Sequence, residues 1–149
     1  MNHPMHYSIW LEQACTAPPD VVYDLLIDVE RWPEWLSGTR SAGWEDPETP
    51  GKREGAIRGV AVSGLTMREE ILIDDGPRHH AYRIVSGIPV TDHRADVHIH
   101  EQAGGSLIVW RATFRSRIPL AGPLMWLMMR ASMPRMAADL ARGAEHRAI

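Results

Sequence analysis

The segment from Pro119 to Arg147 constrains the fold more than any other part of the chain, because its apolar residues repeat with a helical period. The repeat runs in steps of four, four, three and four residues through Met125, Met129, Met133, Met136 and Leu140. Residues at this spacing lie on one helical face, so the pattern predicts a long terminal helix that buries that face. Methionine is flexible and fills irregular space, so the face fits either ordinary core packing or a hollow beneath the helix. Pro134 removes one backbone hydrogen bond, so we expect a kink or break near Arg130.

Composition narrows the class of protein. A chain of 149 residues with 44% hydrophobic and 23% charged residues is typical of one globular domain, which we place over 1–149. The formal charge of -3 argues against a nucleic-acid partner, since phosphate binding requires a basic face. Cys15 is alone, which excludes an internal disulfide and fits a reducing compartment. The start of the chain lacks a secretory pattern, so we expect a cytoplasmic protein. The apolar run Ile118–Met129 is too short to span a bilayer, so we expect no stable membrane insertion.

The remaining segments predict an α+β fold. Residues Met5–Ala14 alternate as a strand, Pro18-Pro19-Asp20 begins a short helix, and Asp28 caps a second one that ends at Ser37-Gly38. From Thr39 to Arg117, short alternating segments separated by turns predict six more strands. Because these strands are joined by hairpins, we expect a seven-stranded antiparallel sheet.

Three motifs resemble the START-like (SRPBCC) superfamily, most closely its polyketide cyclase/dehydrase-type members. The motifs are Ala17–Tyr23 (APPDVVY), Arg31–Trp35 (RWPEW), and Arg68–Ile71 (REEI) followed by Pro77-Arg78 and Tyr82-Arg83; the segment Pro89–Ala95 (PVTDHRA) is also similar. The resemblance implies a helix-grip fold, in which the sheet wraps around the terminal helix and encloses a ligand cavity. It is specific for the fold and weak for the chemistry, because this scaffold carries transport, sensing and catalysis.

Strand alternation indicates which side chains face the cavity. Tight turns would place Glu69 opposite Tyr82 in the first hairpin and Tyr82 opposite Ala95 in the second. The third would place Val97 opposite Trp110. His93 would then lie between Ile84 on one neighbouring strand and Phe114 on the other. In this register every inward row meets another inward row, whereas a slip of one residue would not allow this. The predicted ligand-binding residues are Met67, Ile71, Tyr82, Ile84, His93, Ala95, Val97, Trp110, Phe114, Met125, Met129, Met133 and Met136. Ile73 belongs to the same inward row as Met67 and Ile71.

Glu69, Tyr82 and His93 are the candidate catalytic residues, because they lie on three successive strands and face the interior. Neighbouring strands are ~4.8 Å apart, so Glu69 could bond Tyr82 directly and a ligand or water could bridge Tyr82 to His93. Burial shifts the pKa of an unpaired ionisable group toward neutrality, which suits proton transfer. The alternative is a structural role, in which these polar groups satisfy one another.

The leading functional hypothesis is binding of a small hydrophobic or aromatic molecule in the cavity. The second is a polyketide cyclase or aromatase-dehydratase, in which His93 or Glu69 takes a proton next to a carbonyl and Tyr82 polarises the oxygen, without a metal or organic cofactor. The third is lipid or quinone handling at a membrane surface, through Leu124, Trp126 and Leu127. The sequence leaves open the ligand and whether the chain forms a homodimer.

Other candidate sites are weaker. Asp96, His98 and His100 share a strand face and could be metal ligands, but a polar outer face explains them, so no metal is expected. The loop Pro50–Gly55 is expected near the cavity mouth. Trp32 and Trp35 either form part of that mouth or pack the short helix onto the sheet. Cys15 has no evident base beside it and is not expected to be a nucleophile.

Overall fold

The computed structural model describes residues 5–46 and 53–149. Its strands are β1 (Met5–Cys15), β2 (Thr39–Trp44), β3 (Ile57–Val62), β4 (Leu65–Asp75), β5 (His79–Ser86), β6 (Thr91–Gln102) and β7 (Gly105–Ser116). Its helices are α1 (Pro19–Ile27), α2 (Trp32–Trp35) and α3 (Ala121–Arg147), with a 3-10 turn at Val29–Arg31 before α2. This order confirms the predicted α+β fold.

The sheet is antiparallel and places β1 and β2 at its two edges. The strand order is β1-β7-β6-β5-β4-β3-β2, so the hairpins run in sequence from β2 to β7 and β1 pairs with β7. Helix α3 packs on β1 and β7, and α1 packs on α3 and β6. A Cβ atom at Gly122 would lie 2.5 Å from the Tyr7 hydroxyl, so this glycine allows α3 to approach β1 closely.

Helix α3 runs from Ala121 to Arg147 without interruption, although Pro134 lies inside it. A break near Arg130 is therefore wrong, whereas a kink there stays a prediction. Pro134 and Arg130 both lie on the exposed side of the helix, where water can bond the carbonyl that loses its backbone donor. Among the described residues, no helix combines the length and the apolar character needed to cross a bilayer.

The predicted register is right for the regular parts of the β5–β6 and β6–β7 ladders and shifted in the β4–β5 ladder. Tyr82 pairs with Ala95 and Val97 pairs with Trp110, as expected. The expected pairs of His93 with Ile84 and Phe114 are not part of these ladders. Between β4 and β5, however, Tyr82 pairs with Ile71 rather than Glu69. This two-residue shift keeps the same faces together, because side chains alternate with a period of two.

A bulge between Ile71 and Ile73 accompanies this shift. It moves Asp74 onto the inner face, where Asp74 is buried and accepts a hydrogen bond from the Tyr23 hydroxyl at 2.5 Å. The inward assignment of Ile73 is therefore wrong, because an extra residue in a strand reverses the alternation beyond it.

Candidate ligand-binding site

A cavity of about 680 Å³ lies between α3, α2 and the inner face of the sheet. Its helix-side wall contains five methionines and, further along α3, Ser132, Arg135, Ala138, Asp139 and Arg142, and its sheet-side wall combines aliphatic with aromatic and polar side chains. The methionines are Met125, Met128, Met129, Met133 and Met136. A volume of this size lies within the range of about 300–1,000 Å³ that small-molecule sites occupy.

Most of the predicted ligand-binding residues line this cavity. They are Met67, Tyr82, Ile84, His93, Trp110, Met125, Met129, Met133 and Met136. Ile71, Ala95, Val97 and Phe114 instead belong to the closely packed core and do not contribute to the wall. Phe114, for example, is covered by the Tyr7 ring, with ring centroids 5.2 Å apart. Facing inward was therefore not sufficient to reach the cavity.

Arg58 is the main residue that sequence reasoning missed. It lies on β3, is 1% exposed and lines the cavity. Its ladder partner is Glu69, and the Arg58 Nε donates a hydrogen bond to the Glu69 Oε1 at 2.7 Å. The signal was present in the sequence, since alternation places Arg58 on the same side of the strand as Val60 and Val62.

The Arg58 guanidinium connects three elements around the cavity. It lies between the rings of Trp32 and Tyr82, with its carbon 4.7 Å from each ring centroid. Its Nη1 lies 3.0 Å from the His80 Nε2. Because arginine has no acceptor, it donates this bond and the neutral His80 ring accepts it. Burial lowers the pKa of His80 well below its usual value, and the charge of Arg58 adds to this effect.

The sequence predicted that Glu69 could bond Tyr82 directly. In the structure Glu69 bonds Arg58 instead. The Glu69 carboxylate faces Arg58, which compensates its charge. Burial raises the pKa of the Tyr82 phenol, and the negative charge of Glu69 adds to this. Both side chains line the cavity. The sheet-side wall thus presents a neutral phenol beside an internally balanced ion pair.

His93 lies at an irregularity of β6, between Thr91 and Arg94, and is 6% exposed. Its Nδ1 accepts a hydrogen bond at 3.0 Å from the backbone N–H of Ile84. This bond requires the proton of the neutral ring to be on Nε2. Burial lowers the pKa of His93 to about 4, so the ring is neutral at physiological pH. In the described part of the chain no group accepts a hydrogen bond from Nε2, and His93 lines the cavity.

Two further residues of the cavity wall contain a buried polar atom without a hydrogen-bond partner among the described residues. They are Trp35, through its indole nitrogen, and Thr39, through its hydroxyl oxygen. Unpaired buried polar atoms are rare and unfavourable.

The two tryptophans of α2 combine the two roles considered for them. Trp32 is buried and donates its indole N–H to the Leu26 carbonyl at 3.0 Å, which fixes α2. The Trp35 ring meets the Trp32 ring edge-on, with ring centroids 5.9 Å apart, and both rings line the cavity.

The predicted loop 50–55 lies partly outside the described residues. Its described part, 53–55, does not line the cavity.

The proposed histidine metal site differs from the pattern in the sequence. His79, Asp96 and His98 have ligand atoms within 4.8 Å of one another, whereas His100 only stacks beside His98. Asp96 already accepts hydrogen bonds from Arg94.

At Cys15, burial raises the pKa of the thiol, which disfavours the reactive thiolate.

Comparison with known proteins agrees with this architecture. The family described as polyketide cyclase / dehydrase and lipid transport matches residues 11–146. The chain belongs to this family. The match confirms the resemblance to the SRPBCC-type polyketide cyclases and dehydrases. Polyketides and lipids are both hydrophobic, which fits the cavity. No curated protein matches the chain.

Several solved structures share the fold of this polyketide cyclase/dehydrase family member. The protein XoxI from Bacillus cereus has 21% identity and a TM-score of 0.71, covering 93% of this chain and 94% of its own. An uncharacterized protein from Bacillus thuringiensis has 20% identity and a TM-score of 0.71, with coverage of 94% and 98%. Ara h 8.0201 has 16% identity and a TM-score of 0.73, again with coverage of 94% and 98%. At these identities the likeness concerns the fold alone.

Proposed function

We propose that this protein binds a small, uncharged hydrophobic or aromatic molecule that contains an oxygen acceptor. The observation that carries the proposal is the cavity of about 680 Å³, which has methionines on one wall and a few polar groups on the other. Apolar walls provide most of the affinity in such sites, and a small number of polar groups fix the orientation.

The sheet-side polar groups favour a neutral ligand; Arg135 on α3 also lines the cavity, but it is exposed, so water solvates its charge. The charges of Arg58 and Glu69 balance each other at 2.7 Å, so the pair leaves no net charge for a ligand to neutralise. The Tyr82 hydroxyl and the His93 Nε2–H are hydrogen-bond donors at neutral pH. A carbonyl or hydroxyl oxygen satisfies these donors without bringing a charge into the apolar cavity.

The state of His93 supports binding over the predicted proton abstraction. A general base needs a free lone pair, but the lone pair on Nδ1 accepts the Ile84 N–H and Nε2 holds the proton. Glu69 is the other predicted base, and its Oε1 already accepts a hydrogen bond from the Arg58 Nε. Cyclase activity therefore remains the alternative, with Tyr82 and His93 as donors to the substrate carbonyl and Glu69 as the base.

A pair of neighbouring positions on α3 tests whether the cavity binds ligands. Ser132 lines the cavity, while the adjacent Ala131 is exposed on the outer side. We expect Ser132→Trp to abolish binding of a naphthalene-based fluorescent probe, because the indole fills the cavity. Ala131→Trp is the matched control and should bind as the original chain does. Equal binding by both variants would refute the proposed site.

The donor role of His93 is tested with two ligands of similar shape, 2-acetylnaphthalene and 2-ethylnaphthalene. We expect His93→Phe to weaken ketone binding roughly fivefold to tenfold relative to the hydrocarbon, because one hydrogen bond is lost. Calorimetry on both ligands separates this loss from any change in cavity shape. Equal effects on both would contradict the assignment. Turnover of a poly-β-ketone substrate that Glu69→Gln abolishes would establish the cyclase instead.

A further inference from the structure

Large apolar side chains are concentrated on the outer surface around the start of α3. This α3 apolar patch consists of Ile118, Leu120, Leu124, Leu127 and Met128, whose exposed fractions are 57, 84, 55, 56 and 47%. Leu124, Leu127 and Met128 follow at helical spacing; Leu127 points away from the cavity methionine Met125, whereas Met128 lies between the patch and the cavity, which it also lines. Single exposed leucines are common, but a contiguous apolar surface indicates an interaction site.

Leu120 adds an independent observation. It precedes α3 with a φ of 70°, the left-handed region that non-glycine residues rarely adopt. It is also the most exposed member of the patch. Neither the strained backbone nor the exposure of the apolar side chain to water stabilises the free protein. Backbone outliers of this kind typically belong to functional sites.

Charge around the patch identifies the occupant. Residues 102–138 contain five arginines and no aspartate or glutamate, in a chain whose formal net charge is -3. Arg117, Arg130 and Arg135 are exposed, and none of the three has an ion-pair partner within residues 5–46 and 53–149. Arg115 is less informative, because the ladder brings it close to the exposed Asp92.

We propose that the α3 apolar patch docks on the surface of an anionic phospholipid bilayer. The leucines would insert at the headgroup boundary while Arg117 and Arg130 contact the lipid phosphates, as in other interfacial helices. A second copy of the chain fits less well. A two-fold contact through the patch would bring the unpaired arginines of one copy near those of the other.

The patch continues into the rim of the cavity. Met128 and, from β4, Leu65 are exposed at 47 and 44%, and both line the cavity. Docking would therefore place the cavity opening next to the lipid, where a hydrophobic ligand could enter without crossing water. The docking itself rests on the outer surface and does not depend on the proposed ligand.

Trp126, predicted from the sequence as a membrane contact, has a different role. It is partly buried, and its indole N–H donates to the Ser8 carbonyl at 3.1 Å. The Arg130 guanidinium lies 5.0 Å from its ring centroid. Trp126 therefore positions α3 and Arg130, and its substitution would disturb the fold. Leu124 and Leu127 are better test positions because their side chains are exposed.

The test is co-sedimentation of the full chain with vesicles of phosphatidylcholine, with or without roughly 30% phosphatidylserine. We expect binding to the anionic vesicles only. Leu124→Gln/Leu127→Gln should weaken it by at least about tenfold, because both side chains lose their apolar contact. Arg117→Gln and Arg130→Gln should each weaken it by about fivefold. Trp10→Gln is the matched control, since Trp10 is 61% exposed on β1 outside the patch.

Three outcomes would overturn the proposal. The first is no sedimentation of the original chain with either vesicle, and the second is equal loss of binding in Trp10→Gln. The third is a dimer in sedimentation velocity that Leu124→Gln/Leu127→Gln dissociates, which would assign the patch to a second copy. None of these results bears on probe binding by the cavity, so the two proposals can fail separately.

Discussion

The buried ion pair between Arg58 and Glu69 allows a quantitative test by a double-mutant cycle. The two side chains are 1% and 8% exposed, and their closest atoms are 2.7 Å apart. At an effective dielectric constant of about 20, unit charges about 4 Å apart attract by about 4 kcal/mol. Removing one member leaves the other charge buried without its partner, and such changes typically cost about 3–5 kcal/mol.

The two single variants should differ in magnitude. Glu69→Gln leaves Arg58 in contact with His80 and with two aromatic rings, so we expect a loss of about 3 kcal/mol in the free energy of unfolding. Arg58→Met also removes both ring contacts, so we expect about 4–5 kcal/mol. The double variant leaves no charge and should lose only about 1–2 kcal/mol, because a methionine can occupy much of the arginine volume.

Urea unfolding followed by far-ultraviolet circular dichroism measures all four proteins. The expected signature is a double variant that is more stable than either single variant. The exposed pair Arg31–Glu34 provides the matched control, and its cycle should give negligible coupling. Additive losses at Arg58 and Glu69 would refute the reasoning, because they would mean that neither charge depends on the other.

Three further predictions concern single residues. Because burial lowers the folded-state pKa of His93 to about 4, below the usual histidine value of 6.5, the unfolded chain binds the proton first as pH falls. His93 should therefore contribute a decrease of about 3 kcal/mol in the free energy of unfolding between about pH 6.5 and 4, and His93→Gln should reduce the slope in urea titrations by this amount, leaving the contribution of the buried His80. Gly122→Ala should lower the free energy of unfolding by about 1–3 kcal/mol in the same assay, because the new methyl group meets Tyr7. Gly59→Ala is the control, since a Cβ atom there has open space around it and should not clash. Cys15 is 4% exposed and should react with Ellman's reagent only after unfolding; fast labelling of the folded chain would contradict its burial.

The sequence predicted the elements well because their periodicities are regular. The four-residue steps of Met125, Met129 and Met133 predicted α3 and its inner face, and strand alternation predicted which rows meet. The β4–β5 register could not be predicted, because it depends on a bulge between Ile71 and Ile73 that the alternating pattern does not reveal. An error of two residues preserved the faces and so left the predicted cavity side intact.

The polar part of the site was predicted only in part. Tyr82, His93 and Glu69 were found because they interrupt apolar rows. Arg58 interrupts its row in the same way, but charged residues are usually exposed, and a single arginine in a short strand does not indicate burial. The partner of His93 could not be found from side-chain types at all, because it is the backbone N–H of Ile84.

The Arg58 network also determines which substitutions can report on a ligand. Arg58 contacts Trp32 on α2, Glu69 on β4 and both His80 and Tyr82 on β5, so a change at any of these positions alters the wall as well as the ligand contact. His93 lies 5.9 Å from Tyr82 between ring centroids, and its hydrogen bond goes to the backbone instead. Its Nε2–H is thus the polar group of the wall whose removal least disturbs the ion pair. A loss of affinity at His93 that is confined to oxygen-containing ligands is therefore a direct measure of recognition in this cavity.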